Sequence, residues 1–319
     1  MSQRREPGVA PALGVALGAG VCGAVQPKIN AVLSVRVDSA WLASMVNFAT
    51  ALTVVAIVVA LRPGTRRTLR NLRSWPVPRW TFTAGFGGAL IVVAGAVAVE
   101  TIGVAVFSVA FFGGQITFGA LVDRIGVAPG GRRPVTAARI QAALVAVAAV
   151  VVSQVGRPVG EFAPALVALV VSAGAAVAFQ SAFNGRIAVA TGDAVAATAV
   201  NVVVGITALA AIVVTLAGTG HIDTPQWPGE PWLYAGGVLG ATVVLSLAIA
   251  TAALGVLRTT LAMLAAQLVV AFAVDWLIEH EAPTPGVLAG AALIVAAVWR
   301  IGRPSPGAGS SRAVTKDTL

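Results

Sequence analysis

Cysteine occurs once in this 319-residue chain, at Cys22, and histidine twice, at His221 and His280. One cysteine excludes an intramolecular disulfide. The two histidines have no second His or Cys at ligand spacing, so a metal site lacks its ligands and no cofactor is expected. Charged residues make up only 10% of the chain. The phosphate-cradling pattern Gly-x-x-x-x-Gly-Lys-Ser/Thr is missing, which removes an ATP-driven pump. Gly18-x-Gly20-x-x-Gly23 matches a dinucleotide fingerprint in letters, but it lies inside an apolar run and not after a strand, so it reads as helix packing. Gly14-x-x-x-Gly18 in the same run reads the same way. No nucleophile, base and orienting group converge, and the chain is not expected to be an enzyme.

What is abundant is apolar surface. Hydrophobic residues are 58% of the chain and the mean hydropathy is +0.91, which describes a protein whose solvent is lipid. A helix needs roughly 20 apolar residues to cross a bilayer core. Such runs occur at 8–33, 38–61, 81–99, 102–121, 136–155, 163–188, 193–217, 232–253, 257–278 and 285–301. They are too long for barrel strands, so the expected fold class is all-α: a polytopic membrane protein of ten transmembrane helices. The first run is long and lacks a clear small-residue cleavage site, so it reads as a retained span.

Basic residues concentrate on the cytoplasmic side of membrane proteins. With ten spans, 18 of the 21 Lys and Arg fall on one side, the exceptions being Lys28, Arg36 and Arg157. Six of the 18 lie between Arg62 and Arg79. Glu100, Glu161, Asp223, Glu230, Glu279 and Glu281 fall on the other side. Both ends of the chain are therefore expected in the cytoplasm. The net charge of +9 reads as topology, and no nucleic-acid partner is implied. The seven tryptophans all fall in loops or near proposed helix ends, as an indole that favours the headgroup level should.

The chain also repeats itself. Gln26-x-x-x-Asn30 with Ser44-x-x-Asn47 returns 154 residues later as Gln180-x-x-x-Asn184 with Thr198-x-x-Asn201. Gly103, Gln115 and Asp123 return as Gly255, Gln267 and Asp275 at an offset of 152. Five spans per copy force the second copy to enter the membrane in the opposite sense, giving a 5+5 inverted-topology repeat, a common construction of secondary transporters. The expected units are 8–157, 162–303 and a mobile cytoplasmic tail over 304–319.

These residues resemble the YdcZ-like group of the drug/metabolite transporter superfamily: Gln-x-x-x-Asn late in the first helix, Ser/Thr-x-x-Asn in the second, then Gly, Gln and Asp. The resemblance spans about residues 8–303. It implies an inner-membrane ten-helix transporter with four-helix bundles around the cavity and the fifth and tenth helices outside them. Small multidrug exporters of the wider superfamily carry a membrane-embedded Glu in their first helix, and no acidic residue occurs in the first or sixth run here.

Residues four apart share a helix face. Gln26, Asn30, Ser44, Asn47 and Gln115, with Gln180, Asn184, Thr198, Asn201 and Gln267, are the candidate substrate-binding residues. Amides and hydroxyls both donate and accept, which suits a neutral or zwitterionic polar solute. The alternative is that they glue helices together, each for roughly 1 kcal/mol. Asp123 and Asp275 end corresponding helices and are candidates for gating or coupling. The alternative for Asp123 is an interfacial pair with Arg124, and for Asp275 plain hydration beside Trp276. Glu100 and Arg258 read as boundary charges. The expected function is a secondary transporter in the cytoplasmic membrane, working by alternating access on a small polar metabolite or drug-like solute. Its partners are that small molecule, membrane lipid and, as one option, a second copy in a homodimer. The rival is a non-transporting scaffold or lipid-binding protein.

Overall fold

An α-helix satisfies its own backbone, so long apolar runs in lipid form helices. The computed structural model of the chain is built of helices, turns and loops among the residues it describes, which are 9–129, 131–132, 136–155, 163–222, 224–254 and 256–301. Side chains are not described at 248, 251–253, 256–258 and 300–301. The expected tail, the junction between the two units, Gly255, Asp223 and the Arg258 side chain thus lie outside the described residues.

The helices are α1 (Val9–Arg36), α2 (Ala40–Leu61), α3 (Pro63–Arg70), α4 (Ala84–Ile125), α5 (Ala137–Val152), α6 (Pro164–Thr191), α7 (Ala194–Gly218), α8 (Gly236–Leu254), α9 (Val256–Leu277) and α10 (Pro285–Ile301). Among the described residues, six stretches are long and apolar enough to cross a membrane, namely α1, α2, Arg79–Ile125, α6, α7 and Thr259–Leu277. Ala137–Val152, Gly236–Leu247 and Pro285–Trp299 are apolar but shorter. Local chemistry sets several boundaries. The Ser39 hydroxyl accepts from the Leu42 N–H and the Asp193 carboxylate from Val195 and Ala196, capping α2 and α7. Pro63 and Pro164 open α3 and α6 at positions where a missing N–H costs nothing.

The expected runs 81–99 and 102–121 share one element, α4, whose 42 residues would measure about 63 Å if straight, twice the bilayer core. It is not straight. Gly103 has φ 75° and ψ 161°, a conformation essentially reserved for glycine, and the chain folds back there. A Cβ placed on Gly95 would stand 3.7 Å from Phe107 Cζ, whereas a continuous helix would separate the two positions by about 18 Å. Both arms also lie along α6: Gly87 in the first arm faces Ala176, and Gly114 in the second faces Val171.

The second arm is the central helix. Val104, Ala105, Val106, Phe107 and Ala110 are buried among Ala94 and Ala98 of the first arm, Val170 and Ala173 of α6, and Ala271 and Val274 of α9. Lipid offers no hydrophobic drive for helix association, so small residues that admit close backbone approach decide the contacts. Where the sequence suggested packing at Gly14 and Gly18, a Cβ would meet nothing within 4 Å. The contact is made by Gly20 and Gly23, which the sequence also reads as packing and which press on Met263, Ala266 and Gln267 of α9. α5 and α10 pack on each other, with Gly286 and Gly290 against the α5 carbonyls of Val152 and Ala149, and otherwise mainly on α4 and α9.

Gly103→Ala should lower the unfolding temperature in detergent, because its conformation costs a Cβ-bearing residue about 1–3 kcal/mol. Gly18→Ala, in a helix with open space around it, should be neutral or slightly stabilising. Equal melting temperatures for the two variants would contradict the fold-back at Gly103.

Candidate functional site

The amides divide into two groups. In the first, Gln26 Nε2 donates to Asn47 Oδ1 at 3.2 Å, joining α1 to α2. Asn30, 2% exposed, lies one turn beyond Gln26, and Asn47 is 4% exposed. The start of α8 is pressed flat on this group. A Cβ on Gly240 would stand 2.6 Å from Gln26 Nε2, and one on Gly236 would stand 2.9 Å from Asn47 Oδ1 and closer still to Asn30 Oδ1. Gly237 abuts the Asn47 carbonyl and the Thr50 hydroxyl. Three glycines in five residues let one helix backbone cover a polar patch that side chains would otherwise hold open.

The second group is built by α6, α7 and the first arm of α4. A Cβ on Gly88 would lie 3.4 Å from Asn201 Oδ1 and 3.5 Å from Gln180 Nε2, and one on Gly87 would lie 2.9 Å from Gln180 Oε1. Gly85 meets the Asn201 carbonyl itself. The Phe48 ring, from α2, fills the remaining gap against Gly88 and Gly205. Here the polar groups are not tied to each other: Gln180 Oε1 and Asn184 Oδ1 are buried and accept no hydrogen bond from the described residues. Gln267 Oε1 is in the same condition, at a residue 3% exposed, against Gly23 of α1. Gln115 is half-buried where α4 and α6 touch backbone to backbone, a Cβ on Gly174 standing 2.9 Å from its N. The hydroxyls of Ser44 and Thr198 donate to Ala40 and Ala194, each one turn back in its own helix.

The charged residues behave differently from their expected descriptions. Asp275 is not a hydrated helix end. It is 8% exposed, and its two carboxylate oxygens accept from the N–H groups of Val104 and Ala105, both at 2.8 Å. Breaking α4 at Gly103 leaves the first N–H groups of the second arm without helical acceptors, and a carboxylate there also suits the positive end of the helix dipole. Glu100 is not a bare boundary charge either. Lys28 Nζ lies 2.7 Å from Glu100 Oε1 and 2.7 Å from Glu279 Oε1. Asp123 pairs with Arg139 at the start of α5, Nη2 to Oδ2 3.1 Å, and not with its neighbour Arg124. At the far end of the second arm, Arg186 of α6 donates from Nη2 to the Gly126 carbonyl at 2.6 Å and from Nε to Val127. Its guanidinium lies 5.3 Å from the Trp80 ring centroid, and Trp80 in turn meets Phe183 edge-on.

An apolar groove of about 650 Å³ opens between α2, α4 and α7, lined by Trp41, Phe86, Leu90, Val93, Val203 and Ile212 among others. None of the candidate amides lines it. Sequence reasoning overlooked the glycines of the first α4 arm and of α8, and the part played by Lys28. A signal for the glycines was present: Gly85-x-x-Gly88 returns as Gly237-x-x-Gly240 at the same offset of 152 that relates Gly103, Gln115 and Asp123 to their partners.

Removing the Asp275 acceptors leaves two N–H groups unpaired in a buried setting, at about 1–3 kcal/mol each. Asp275→Ala should therefore lower the melting temperature more than Asp275→Asn, which keeps one acceptor oxygen. Thermal unfolding of both in detergent checks the order, and equal losses would remove the cap from the account.

No curated protein matches the chain. Among solved structures, one described only as the crystal structure of a protein is 18% identical, with a TM-score of 0.53, covering 92% of this chain and 96% of that one. At that identity the likeness is one of fold. A family model described as "Putative inner membrane exporter, YdcZ" matches residues 11–152 and again residues 165–300. The two matches together take in most of the described helices, and the chain belongs to the YdcZ family of drug/metabolite transporters.

Proposed function

We propose that this member of the family is a secondary transporter that moves a small polar metabolite or drug-like solute by alternating access. In this reading α1 to α5 and α6 to α10 are two five-helix repeats, 8–157 and 162–303, of opposite orientation, with α4 supplying two spans. The end of the bundle that carries Arg62–Arg79 faces the cytoplasm and the end that carries Lys28, Glu100 and Glu279 faces outside. Gln26, Asn30, Ser44, Asn47 and Gln115 with Gln180, Asn184, Thr198, Asn201 and Gln267 are the proposed solute contacts, and Asp123 and Asp275 the proposed gating groups.

The observation that carries this reading is a reciprocal contact. Gly85 and Gly88 cover Gln180 and Asn201, while Gly237 and Gly240 cover Gln26 and Asn47. Each repeat's third span thus lies on the amides of the other repeat. Sliding the two halves past each other would uncover one amide group while the other stays covered, which is the motion alternating access requires. The two groups are already unlike: Gln26 and Asn47 are bonded together, whereas Gln180 and Asn184 have oxygens without a donor. Uncharged donors and acceptors with no carboxylate among them favour a neutral or zwitterionic solute over a bare cation. The scaffold reading is favoured by one feature, the direct Gln26–Asn47 bond, which ties helix to helix without any solute.

A ligand that binds the native state raises its apparent stability. In a thermal-shift screen of polar metabolites and drugs, the cargo should raise the melting temperature of the native protein and leave the Gln115→Ala/Gln267→Ala variant unmoved. A compound that shifts both proteins equally would place its site away from these amides, and a screen with no shift at all would favour the scaffold.

A further inference from the structure

At the proposed exterior end of the bundle, Lys28 is set between two carboxylates. Lys28 reaches Glu100 at the end of the first α4 arm and Glu279 just beyond α9, at 2.7 Å each, and its side chain is only 12% exposed against 32% and 34% for the glutamates. Asp275, one turn before Glu279, holds the start of the second α4 arm. Two of these links join residues on opposite sides of the junction at 156–162: Lys28 to Glu279, and Asp275 to Val104 and Ala105.

The geometry points to Lys28 as the latch of an exterior gate, its double bridge to Glu100 and Glu279 holding α1, the break in α4 and the end of α9 together while the solute path is closed on that side. This rests on the transporter reading above. A gate must part and re-form many times, so its contacts have to exchange partners at small net cost. Ion pairs near the water level do this, because carboxylate and ammonium are rehydrated as they separate, and both glutamates of this bridge are about a third exposed. The contacts beneath the latch are of the opposite kind. Val104, Ala105 and Phe107 are each 2% exposed or less, and parting them without a lever would expose apolar core. Lys28 follows Pro27 inside α1, and Pro27 packs against Gly95 of the first α4 arm, a Cβ there standing 3.4 Å from Pro27 Cβ. A proline within a helix removes one backbone bond and permits a bend. The latch is therefore mounted where α1 can swing its last turns away from α4.

Alternating access makes a sided demand that simple loosening does not. In membranes carrying the Cys22→Ala background, a cysteine at position 26 reports the exterior path and one at position 184 the cytoplasmic path, each read by the reaction rate of a membrane-impermeant thiol reagent applied from one side. Lys28→Ala should raise exterior labelling of the Gln26→Cys protein by roughly three- to tenfold and lower cytoplasmic labelling of the Asn184→Cys protein, and Lys28→Arg should restore both. Glu100→Gln/Glu279→Gln should act as Lys28→Ala does, giving a second route if one variant folds poorly. Labelling that rises on both sides means that the bridge merely braces the bundle, and it overturns the gate. Unchanged rates in both variants, with position 184 still reactive from the cytoplasm, overturn the gate while leaving the transporter standing. If neither position reacts from either side in any variant, the transporter reading itself fails and the gate fails with it.

Discussion

A helix broken at a buried point must find acceptors for the N–H groups it exposes, and the rest of this bundle is arranged around that requirement. The break at Gly103 would strand Val104 and Ala105, and the Asp275 carboxylate takes both. The distant end of the same arm has the complementary problem of unbonded carbonyls, and Arg186 donates to Gly126 and Val127. The central helix is thus held by an anion at its positive end and a cation at its negative end, as its dipole favours. Both charges come from beyond the 156–162 junction, so the satisfaction of one helix's backbone fixes where α6 and α9 lie.

Close approach does the remaining work. The helices meet through Ala and Gly, and where α8 and the first α4 arm reach the amides they do so with bare backbone. A polar patch covered in this way meets bare backbone and not interlocking side chains. The difference between the bonded Gln26–Asn47 pair and the unpartnered oxygens of Gln180, Asn184 and Gln267 sits on top of a covering contact that is alike in both groups.

Much of this was legible in the chain. Apolar run lengths located the helices because lipid leaves no other way to satisfy a backbone, and the recurring Gln, Asn, Gly and Asp positions marked the residues about which the bundle turns. Failures came where a role depends on a partner far along the chain. Asp275 looked like a hydrated end because Trp276 beside it is an interface residue, yet its partners are some 170 positions away. The alternative to a gating role for Asp123 is a pair with the adjacent Arg124, but consecutive helical residues point in different directions, and Arg139 on the next helix faces it instead. Gly14 and Gly18 fit the small-residue spacing as well as Gly20 and Gly23 do, and nothing local shows which face a neighbour will approach.

By itself the sequence determined the solvent, the helices, the repeat and the family, because hydropathy and recurrence are properties of order along a chain. The tertiary structure alone decided which charges meet, where α4 turns back and which glycines lie on which amides. Those outcomes depend on geometry between helices, where a rotation of one residue moves a side chain by about 100° and exchanges one set of partners for another.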